Sequence, residues 1–364
     1  MIHFVAPGDY IQGPGALSRL PFFVEQAGGV AVIVTDEVVL AKVKQQLGVV
    51  FGAERMPPAL CIGPEVTYTA IESLCLTMPA DATVVVGMGG GKAIDMAKGM
   101  ADAKSIPMIS VPTVASNDGP TARVYAVYDD DHRLVAIEHM KSSPLAVIVD
   151  TKLLINSPLR LMRSGIGDAI AKTFEAEAAW NARGSNMQGS AAPELARAIA
   201  RSCYDTIRQY ALPGLSAMWM GEPDEAFEKL VEACVLMSGL GFENGGLSTA
   251  HAVTRGLTQS RHGKHATHGE HVAYGVLVQA RIEGRTGVEL DDLTSFIEAV
   301  GLPTSLFALS GKPADEQDFD QIAKFALEAS YSANFPESMS RTSLINAMKG
   351  IEIRAAAQQM SLGA

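Results

Sequence analysis

The chain has 364 residues, of which 48% are hydrophobic and 19% charged, and its formal net charge is -11 at pH 7. This composition is typical of globular proteins, and the length exceeds one ordinary core, which predicts two domains. The negative charge argues against nucleic acid or anionic membranes as partners, because both require clustered lysine and arginine. An anionic cofactor would need a local positive site, built from backbone N–H groups, a lysine or a metal.

The cysteines, Cys61, Cys75, Cys203 and Cys234, are scattered and form no CxxC pair. They are typical of small buried side chains in a reducing compartment, and not of a disulfide framework or a thiolate metal site. Residues 1–4 lack the features of a secretory signal, and no apolar run approaches the ~18 residues of a membrane span. We therefore expect a cytoplasmic protein.

Short apolar runs alternate with helical patterns up to residue 157. Residues 30–34 are continuously apolar, as expected for a parallel strand buried on both faces. The other predicted strands are 60–62, 83–86, 107–111, 124–128, 134–137 and 146–149, and the predicted helices are 37–47, 67–76 and 92–100. This order predicts a doubly wound, Rossmann-like α/β domain.

Beyond residue 157 only helical patterns remain. The predicted helices are 160–180, 193–210, 226–237, 272–282 and 319–330. The sequence therefore predicts an α/β domain over residues 1–157 and an all-α domain over residues 158–364.

A glycine cluster, GMGGGK over residues 87–92, follows a predicted strand and opens a predicted helix. Glycines at Gly89, Gly90 and Gly91 let the backbone approach a phosphate, and the helix start offers unpaired N–H donors. Lys92 adds a charge. The pattern matches neither a Walker loop nor GxGxxG, so a tight turn that uses glycine only for packing is the alternative.

Asp36 ends the strand of residues 30–34. A carboxylate there can accept hydrogen bonds from a ribose diol, which favours NAD over NADP. A helix N-cap is the alternative role.

The histidines are concentrated in one segment, where five of the eight in the chain lie between residues 251 and 271. They are His251, His262, His265, His268 and His271. Imidazole is the commonest transition-metal ligand, whereas a solvated histidine loop is the alternative for the last four. Glycines predict a loop that leads into a helix starting near His268, which favours that residue as a ligand.

A catalytic divalent metal needs a third protein ligand, and Asp168 in the run SGIGD is the best candidate. Because we expect glycines to precede a helix there, an N-terminal cap or dipole partner is the alternative role for Asp168.

The sequence resembles the glycerol dehydrogenases, a group within the superfamily of iron-containing alcohol dehydrogenases that also includes dehydroquinate synthase. The resemblance covers nearly the whole chain, and several dispersed segments carry it in the same order. They are GMGGGKAIDMAK (87–98), PTVASNDGP (112–120), VIVDTKLL (147–154), GIGDAIAKTFEA (165–176), GFENGGLSTAHAVTRGLT (241–258) and HGEHVAYG (268–275).

The resemblance implies a dehydroquinate synthase-like fold, with NAD and a metal in a cleft between the two domains. It implies Asp168, His251 and His268 as metal ligands, also counted as catalytic. Iron enzymes of the superfamily add a histidine four residues after the aspartate, and Lys172 stands there instead. This favours Zn²⁺ over Fe²⁺.

The resemblance also assigns residues to the cofactor and the substrate. It implies a substrate contact, also counted as catalytic, for Asp118. The cofactor contacts that it implies are Asp36, Gly91, Lys92, Asp95, Thr113, Ser116, Val124 and Tyr128, joined by Gly89 and Gly90 of the same turn.

Two positions near these cofactor contacts depart from the family pattern. Ala122 replaces a serine, and Arg123 stands where a small or uncharged residue is expected. Arg123 would bind a carboxylate or phosphate of the substrate, or would face solvent or another subunit.

The implied reaction is the oxidation of glycerol, or a related vicinal diol, to dihydroxyacetone, with hydride passing from a zinc-bound alkoxide to NAD. His271 or a metal-bound water is a candidate proton relay. The alternatives are the same chemistry on a glycerol phosphate, a 2-hydroxy acid or an amino alcohol, a dehydroquinate-synthase-like lyase, or a non-enzymatic binding protein. The resemblance also implies a homo-oligomer, often an octamer.

Overall fold

The computed structural model describes residues 1–130 and 134–362, without the side chains of residues 358–362. The strands are β1 (Asp9–Gly13), β2 (Ala31–Thr35), β3 (Ala59–Cys61), β4 (Val84–Gly89), β5 (Met108–Pro112), β6 (Val124–Tyr128), β7 (Leu134–His139) and β8 (Ala146–Asp150).

The helices up to residue 220 are α1 (Leu20–Gln26), α2 (Glu37–Phe51), α3 (Tyr68–Thr77), α4 (Gly91–Lys104), α5 (Thr151–Leu154), α6 (Leu159–Ala169), α7 (Ala171–Asn181) and α8 (Glu194–Met220). The later helices are α9 (Glu225–Glu232), α10 (Ser238–Gly245), α11 (Thr249–Thr258), α12 (His268–Ile282), α13 (Val288–Val300), α14 (Leu306–Ser310), α15 (Glu316–Leu327) and α16 (Arg341–Leu362). A π-helical turn, Ala233–Met237, joins α9 to α10.

A six-stranded parallel sheet forms in the order β1-β8-β5-β4-β2-β3, and β6 and β7 form a separate antiparallel pair. Strands β2, β4, β5 and β8 are buried along their whole length, as their continuous apolar runs predict. Within the described residues no strand follows β8. The predicted fold class, an α/β domain followed by a helical one, is confirmed.

The chain divides into two compact units. The α/β unit comprises Val5–Leu159 and Pro213–Gly239, and the helical unit comprises Met1–Phe4, Arg160–Leu212 and the chain from Leu240 onward. The predicted division at residues 157 and 158 lies two residues from the boundary at Leu159, but Pro213–Gly239 belongs to the α/β unit and Met1–Phe4 to the helical unit.

Some elements were not predicted from the pattern. Strand β1, with the sequence DYIQG, pairs in parallel with β8, but it contains no apolar run because it lies at the edge of the sheet and is only partly buried. The single helix predicted over residues 160–180 is interrupted at Ile170 between α6 and α7.

No helix in residues 1–130 and 134–362 combines the length and the apolar character needed to cross a membrane.

Candidate functional site

The glycine turn lies in the α/β unit, at the carboxyl end of β4. The predicted order of strand, glycine turn and helix is confirmed, because β4 ends at Gly89, Gly90 is the N-cap and α4 begins at Gly91. Gly89 has a φ of +154°, and a Cβ there would lie 2.7 Å from the Cβ of Ala93. The turn therefore requires glycine at this position, and it presents the N-terminal N–H groups of α4.

Asp36 follows β2, the strand next to β4 in the sheet. Its carboxylate accepts a hydrogen bond from the Val39 N–H at 2.8 Å, so it caps α2, and its Oδ2 lies 3.8 Å from the point where a Gly89 Cβ would stand. Asp36 thus caps α2 and also lies beside the glycine turn.

Of the other predicted cofactor residues outside α4, Thr113 contacts the same turn, and the rest lie on the loop after β5 and on β6. The Thr113 N–H donates to the Gly89 carbonyl at 3.0 Å, and the half-buried Ser116 lies in the loop that follows β5. Val124 and Tyr128 begin and end β6. Burial, with Asp95 and Glu65 nearby, raises the pKa of Tyr128 to about 12.

Lys92 and Asp95 are both engaged with neighbours. The Lys92 Nζ donates to the Pro64 carbonyl at 2.6 Å and to Glu65 Oε1 at 2.8 Å. Asp95 Oδ2 accepts from the Ala126 N–H at 3.2 Å. In this structure the Lys92 charge therefore meets a carboxylate next to the turn.

Asp118, the predicted substrate residue, is buried, and its Oδ2 accepts a hydrogen bond from Ser238 Oγ at 2.8 Å. Arg123 Nη2 donates to the backbone carbonyls of Met140, at 3.3 Å, and Lys141, at 2.6 Å. Ala122 is fully buried.

The helical unit brings three predicted metal ligands together. Asp168 lies in the last turn of α6, His251 in the first turn of α11 and His268 at the first residue of α12. One ligand atom from each lies within 4.8 Å of the others, and Asp168 Oδ1 is 3.4 Å from His251 Nε2 and 3.5 Å from His268 Nε2. This cluster of one carboxylate and two imidazoles could hold a divalent metal ion.

The helix start at His268 is specified locally. Thr267 and Glu270 form a capping box, which places His268 at the first helical position as predicted. The alternative role of Asp168 as an N-terminal cap is wrong, because the glycines of the SGIGD run lie inside α6 and the helix ends just after Asp168.

Electrostatics hold the Asp168 carboxylate in its ionised form. Burial alone would raise the pKa of Asp168, but Lys172, His251 and His268 together lower it well below its usual range. Burial likewise opposes charge on His251, yet Glu175 beside it raises the pKa of the imidazole to about 9. An Asp168 carboxylate that stays ionised is available as a ligand for a cation.

Lys172, at the position of the extra histidine of the iron enzymes, is itself buried. Its Nζ donates to Asp168 Oδ1 at 2.7 Å and lies 5.5 Å from the centre of the Phe242 ring. An ammonium group cannot coordinate a metal, so the cluster offers the three ligands that the sequence predicted.

The remaining histidines of the segment have different surroundings. His262 and His271 are buried, so a solvated loop is the wrong description for them, whereas His265 is exposed. His262 Nδ1 lies 2.7 Å from Ser310 Oγ, and His271 Nε2 lies 2.9 Å from the Gly263 carbonyl. Burial lowers the pKa of His271 to about 4, so this residue is neutral at pH 7.

The sequence analysis missed two buried charged residues, Lys98 and Glu175, that contact the predicted site residues or the loop that carries one of them. Lys98 donates to the carbonyls of Gly119, at 2.6 Å, and Val124, at 2.7 Å, and so ties down the loop that carries Asp118. Glu175 contacts His251 from the side opposite the cluster. The signal that would have revealed Glu175 is the spacing of Asp168, Lys172 and Glu175 by four and then three residues, which places three charges on one buried helical face.

Comparison with known proteins agrees with this geometry. Residues 11–158 match the family model described as iron-containing alcohol dehydrogenase. A glycerol dehydrogenase of Pseudomonas putida is 35% identical over 84% of this chain and 84% of that protein. A glycolaldehyde reductase of Halobacterium salinarum is 32% identical over 89% of this chain and 90% of that protein. The crystal structure of glycerol dehydrogenase from Schizosaccharomyces pombe superposes with a TM-score of 0.92 at 30% identity, and it covers 100% of this chain and 93% of that chain.

The chain therefore belongs to the iron-containing alcohol dehydrogenase family, and it is an oxidoreductase with relatives among the glycerol dehydrogenases.

Proposed function

We propose that the chain catalyses the NAD-dependent oxidation of glycerol, or of a related vicinal diol, to dihydroxyacetone. We further propose that a divalent metal, zinc, is held by Asp168, His251 and His268. The observation that carries the proposal is the convergence of these side chains within 4.8 Å in a chain of this family.

The donor set fits such an ion. A carboxylate and two imidazoles suit a catalytic divalent metal, because they leave coordination positions open. Lys172 stands where the iron enzymes have an additional histidine ligand, and the lack of that ligand favours zinc over iron. A divalent metal bound here would act as a Lewis acid on the alcohol oxygen.

The α/β unit supplies the proposed dinucleotide site. NAD, when bound, accepts the hydride. We assign its pyrophosphate to the N–H groups at the start of α4, where the glycines leave room for close approach. Asp36, beside the turn, would accept hydrogen bonds from the ribose hydroxyls and repel a 2′-phosphate. Thr113, Ser116, Val124 and Tyr128 remain proposed cofactor contacts, with Lys92 and Asp95 next to them.

Asp118 is the proposed substrate-orienting carboxylate, since a buried carboxylate can accept hydrogen bonds from a polyol. The Nη2 donors of Arg123 are engaged by the carbonyls of Met140 and Lys141, so part of its capacity to bind an anion is already used within the protein. We therefore favour a neutral polyol over a glycerol phosphate or a 2-hydroxy acid.

The test is a substrate panel followed by the absorbance of NADH, combined with elemental analysis of the protein. The panel contains glycerol, glycerol phosphate, a 2-hydroxy acid and an amino alcohol, with glycolaldehyde for the reverse direction because of the Halobacterium relative. We expect the highest kcat/KM for glycerol, loss of turnover on chelation and recovery with zinc. Full activity of exhaustively metal-free protein would contradict the metal proposal. Substrate turnover without net formation of NADH would instead favour a dehydroquinate-synthase-like lyase.

Assembly into a homo-oligomer, an octamer in the family pattern, and a cytoplasmic location are also proposals. So is the assignment of NAD to residues 1–157 and of metal and substrate to residues 158–364.

A further inference from the structure

Glu175 is a fully buried carboxylate on α7. Its Oε1 accepts hydrogen bonds from the backbone N–H groups of Ser248, at 2.9 Å, and His251, at 3.0 Å. Its Oε2 lies 2.7 Å from Nδ1 of the His251 ring. One carboxylate thus holds both the start of α11 and the imidazole that this helix carries.

The contact between Glu175 and His251 determines which ring nitrogen of His251 faces Asp168 and the proposed metal site. A carboxylate only accepts hydrogen bonds, so the His251 Nδ1 opposite Oε2 must carry the hydrogen. When the ring gives up its other hydrogen to bind a cation, the free lone pair therefore lies on Nε2, the atom 3.4 Å from Asp168 Oδ1. Fixing the tautomer and the orientation of a ligating histidine is the usual function of a carboxylate behind it.

We propose that Glu175 is a positioning residue of the metal centre, which orients His251 and holds it in the tautomer whose Nε2 binds a divalent cation. This inference rests on the proposed metal site, but not on the proposed substrate.

A purely structural role is the competing explanation, because Glu175 also caps the first turn of α11. The chain contains a matched control for that role. Gln279, also buried, accepts a hydrogen bond from the Ala250 N–H at 3.0 Å in the same turn, and its side-chain NH₂ donates to the Phe174 carbonyl and to Glu283 rather than to the His251 ring.

The experiment measures zinc affinity by competition with a chromogenic chelator. In Glu175→Gln the amide can accept from the two backbone N–H groups, but it then turns its NH₂ group toward Nδ1 and favours the wrong tautomer. We expect zinc binding to weaken about 10- to 100-fold, the usual effect of removing such a partner. Gln279→Leu should lower the melting temperature of the metal-free protein and leave zinc affinity within about 3-fold.

Glu175→Asp keeps the carboxylate and serves as a second variant in case Glu175→Gln does not fold. We expect it to bind zinc more weakly than the wild type but more tightly than Glu175→Gln, or than Glu175→Ala where the amide variant is insoluble. The proposal is overturned if Glu175→Gln binds zinc like the wild type, or if Gln279→Leu weakens binding equally. If the wild type binds no divalent metal, both this inference and the metal proposal fail, whereas zinc binding without glycerol oxidation leaves the inference intact.

Discussion

The glycine turn of the α/β unit and the cluster of Asp168, His251 and His268 in the helical unit are built in opposite ways. The turn consists of consecutive residues, Gly89 to Gly91, and what it offers a ligand is backbone N–H groups. The cluster takes its side chains from α6, α11 and α12, far apart in sequence. The turn should therefore be sensitive to added volume, whereas the cluster should be sensitive to the chemical identity of its side chains.

The largest effect is expected for His268→Ala. It removes one proposed ligand, and the buried Asp168 carboxylate keeps Lys172 and His251 as partners. We expect zinc content to fall below one equivalent and turnover to fall by about 10³-fold, since Lewis-acid assistance contributes several kcal/mol. Elemental analysis and steady-state assays check this.

His265→Ala is the matched control, because it removes an exposed histidine from the same segment but outside the cluster. Equal losses of zinc in the two variants would contradict the assignment of His268.

A smaller effect is expected for Gly89→Ala in the α/β unit. The new Cβ would lie 2.7 Å from the Ala93 Cβ in a backbone conformation that disfavours side chains, so the start of α4 must shift. We expect NADH binding, measured by fluorescence titration, to weaken by about 10-fold, from a strain of about 1–3 kcal/mol. Zinc content should stay unchanged.

Gly63→Ala serves as the control, because a Cβ there meets nothing within 4 Å. If Gly89→Ala binds NADH as tightly as Gly63→Ala does, the turn is not the dinucleotide site.

The smallest expected effect is a change in the pH dependence of stability on substitution of His271, which lies outside the cluster of Asp168, His251 and His268. Burial lowers its pKa to about 4, against about 6.5 in an unfolded chain. Between these values the unfolded chain binds more protons, so the free energy of unfolding falls as the pH decreases from about 6.5 to 4. His271→Gln, which can still donate to the Gly263 carbonyl, should reduce this slope by up to about 1.4 kcal/mol per pH unit.

Urea unfolding at pH 7, 6 and 5 measures the slope. His265→Gln, which removes an exposed histidine of the same segment, is the control, and an equal change of slope in both variants would contradict the role of burial at His271. An unchanged slope in His271→Gln would show that burial does not suppress the charge of His271.

Local patterns were sufficient for much of the fold. The apolar runs of β2, β4, β5 and β8 predicted buried parallel strands, because side chains enclosed on both faces leave no polar alternation. Strand β1 was missed for the converse reason, since at the edge of the sheet it needs no such run. The helix start at His268 was predicted because glycines interrupt a helix locally, and the structure adds a capping box within the same turn.

Within the candidate site, sequence reasoning selected the three side chains that the structure brings together, but not the residues that support them. The SGIGD run suggested a helix start at Asp168, yet α6 ends there, because glycines inside a helix are tolerated where another backbone approaches closely. A Cβ on Gly167 would lie 2.3 Å from the Gly269 carbonyl oxygen. Glu175 was missed although its spacing from Asp168 and Lys172 was a local signal, whereas Lys98 was missed because only its partners, the carbonyls of Gly119 and Val124, explain its burial.

The order of strands and helices, the glycine turn and the concentration of histidines can all be read from neighbouring residues, because hydrophobic periodicity and backbone conformation are local properties. The meeting of Asp168 with His251 and His268, and the contact of Glu175 with the far side of His251, depend on how separate helices pack together. Packing brings together side chains with no relation along the chain, and in doing so it selects the ring nitrogen that faces the cluster.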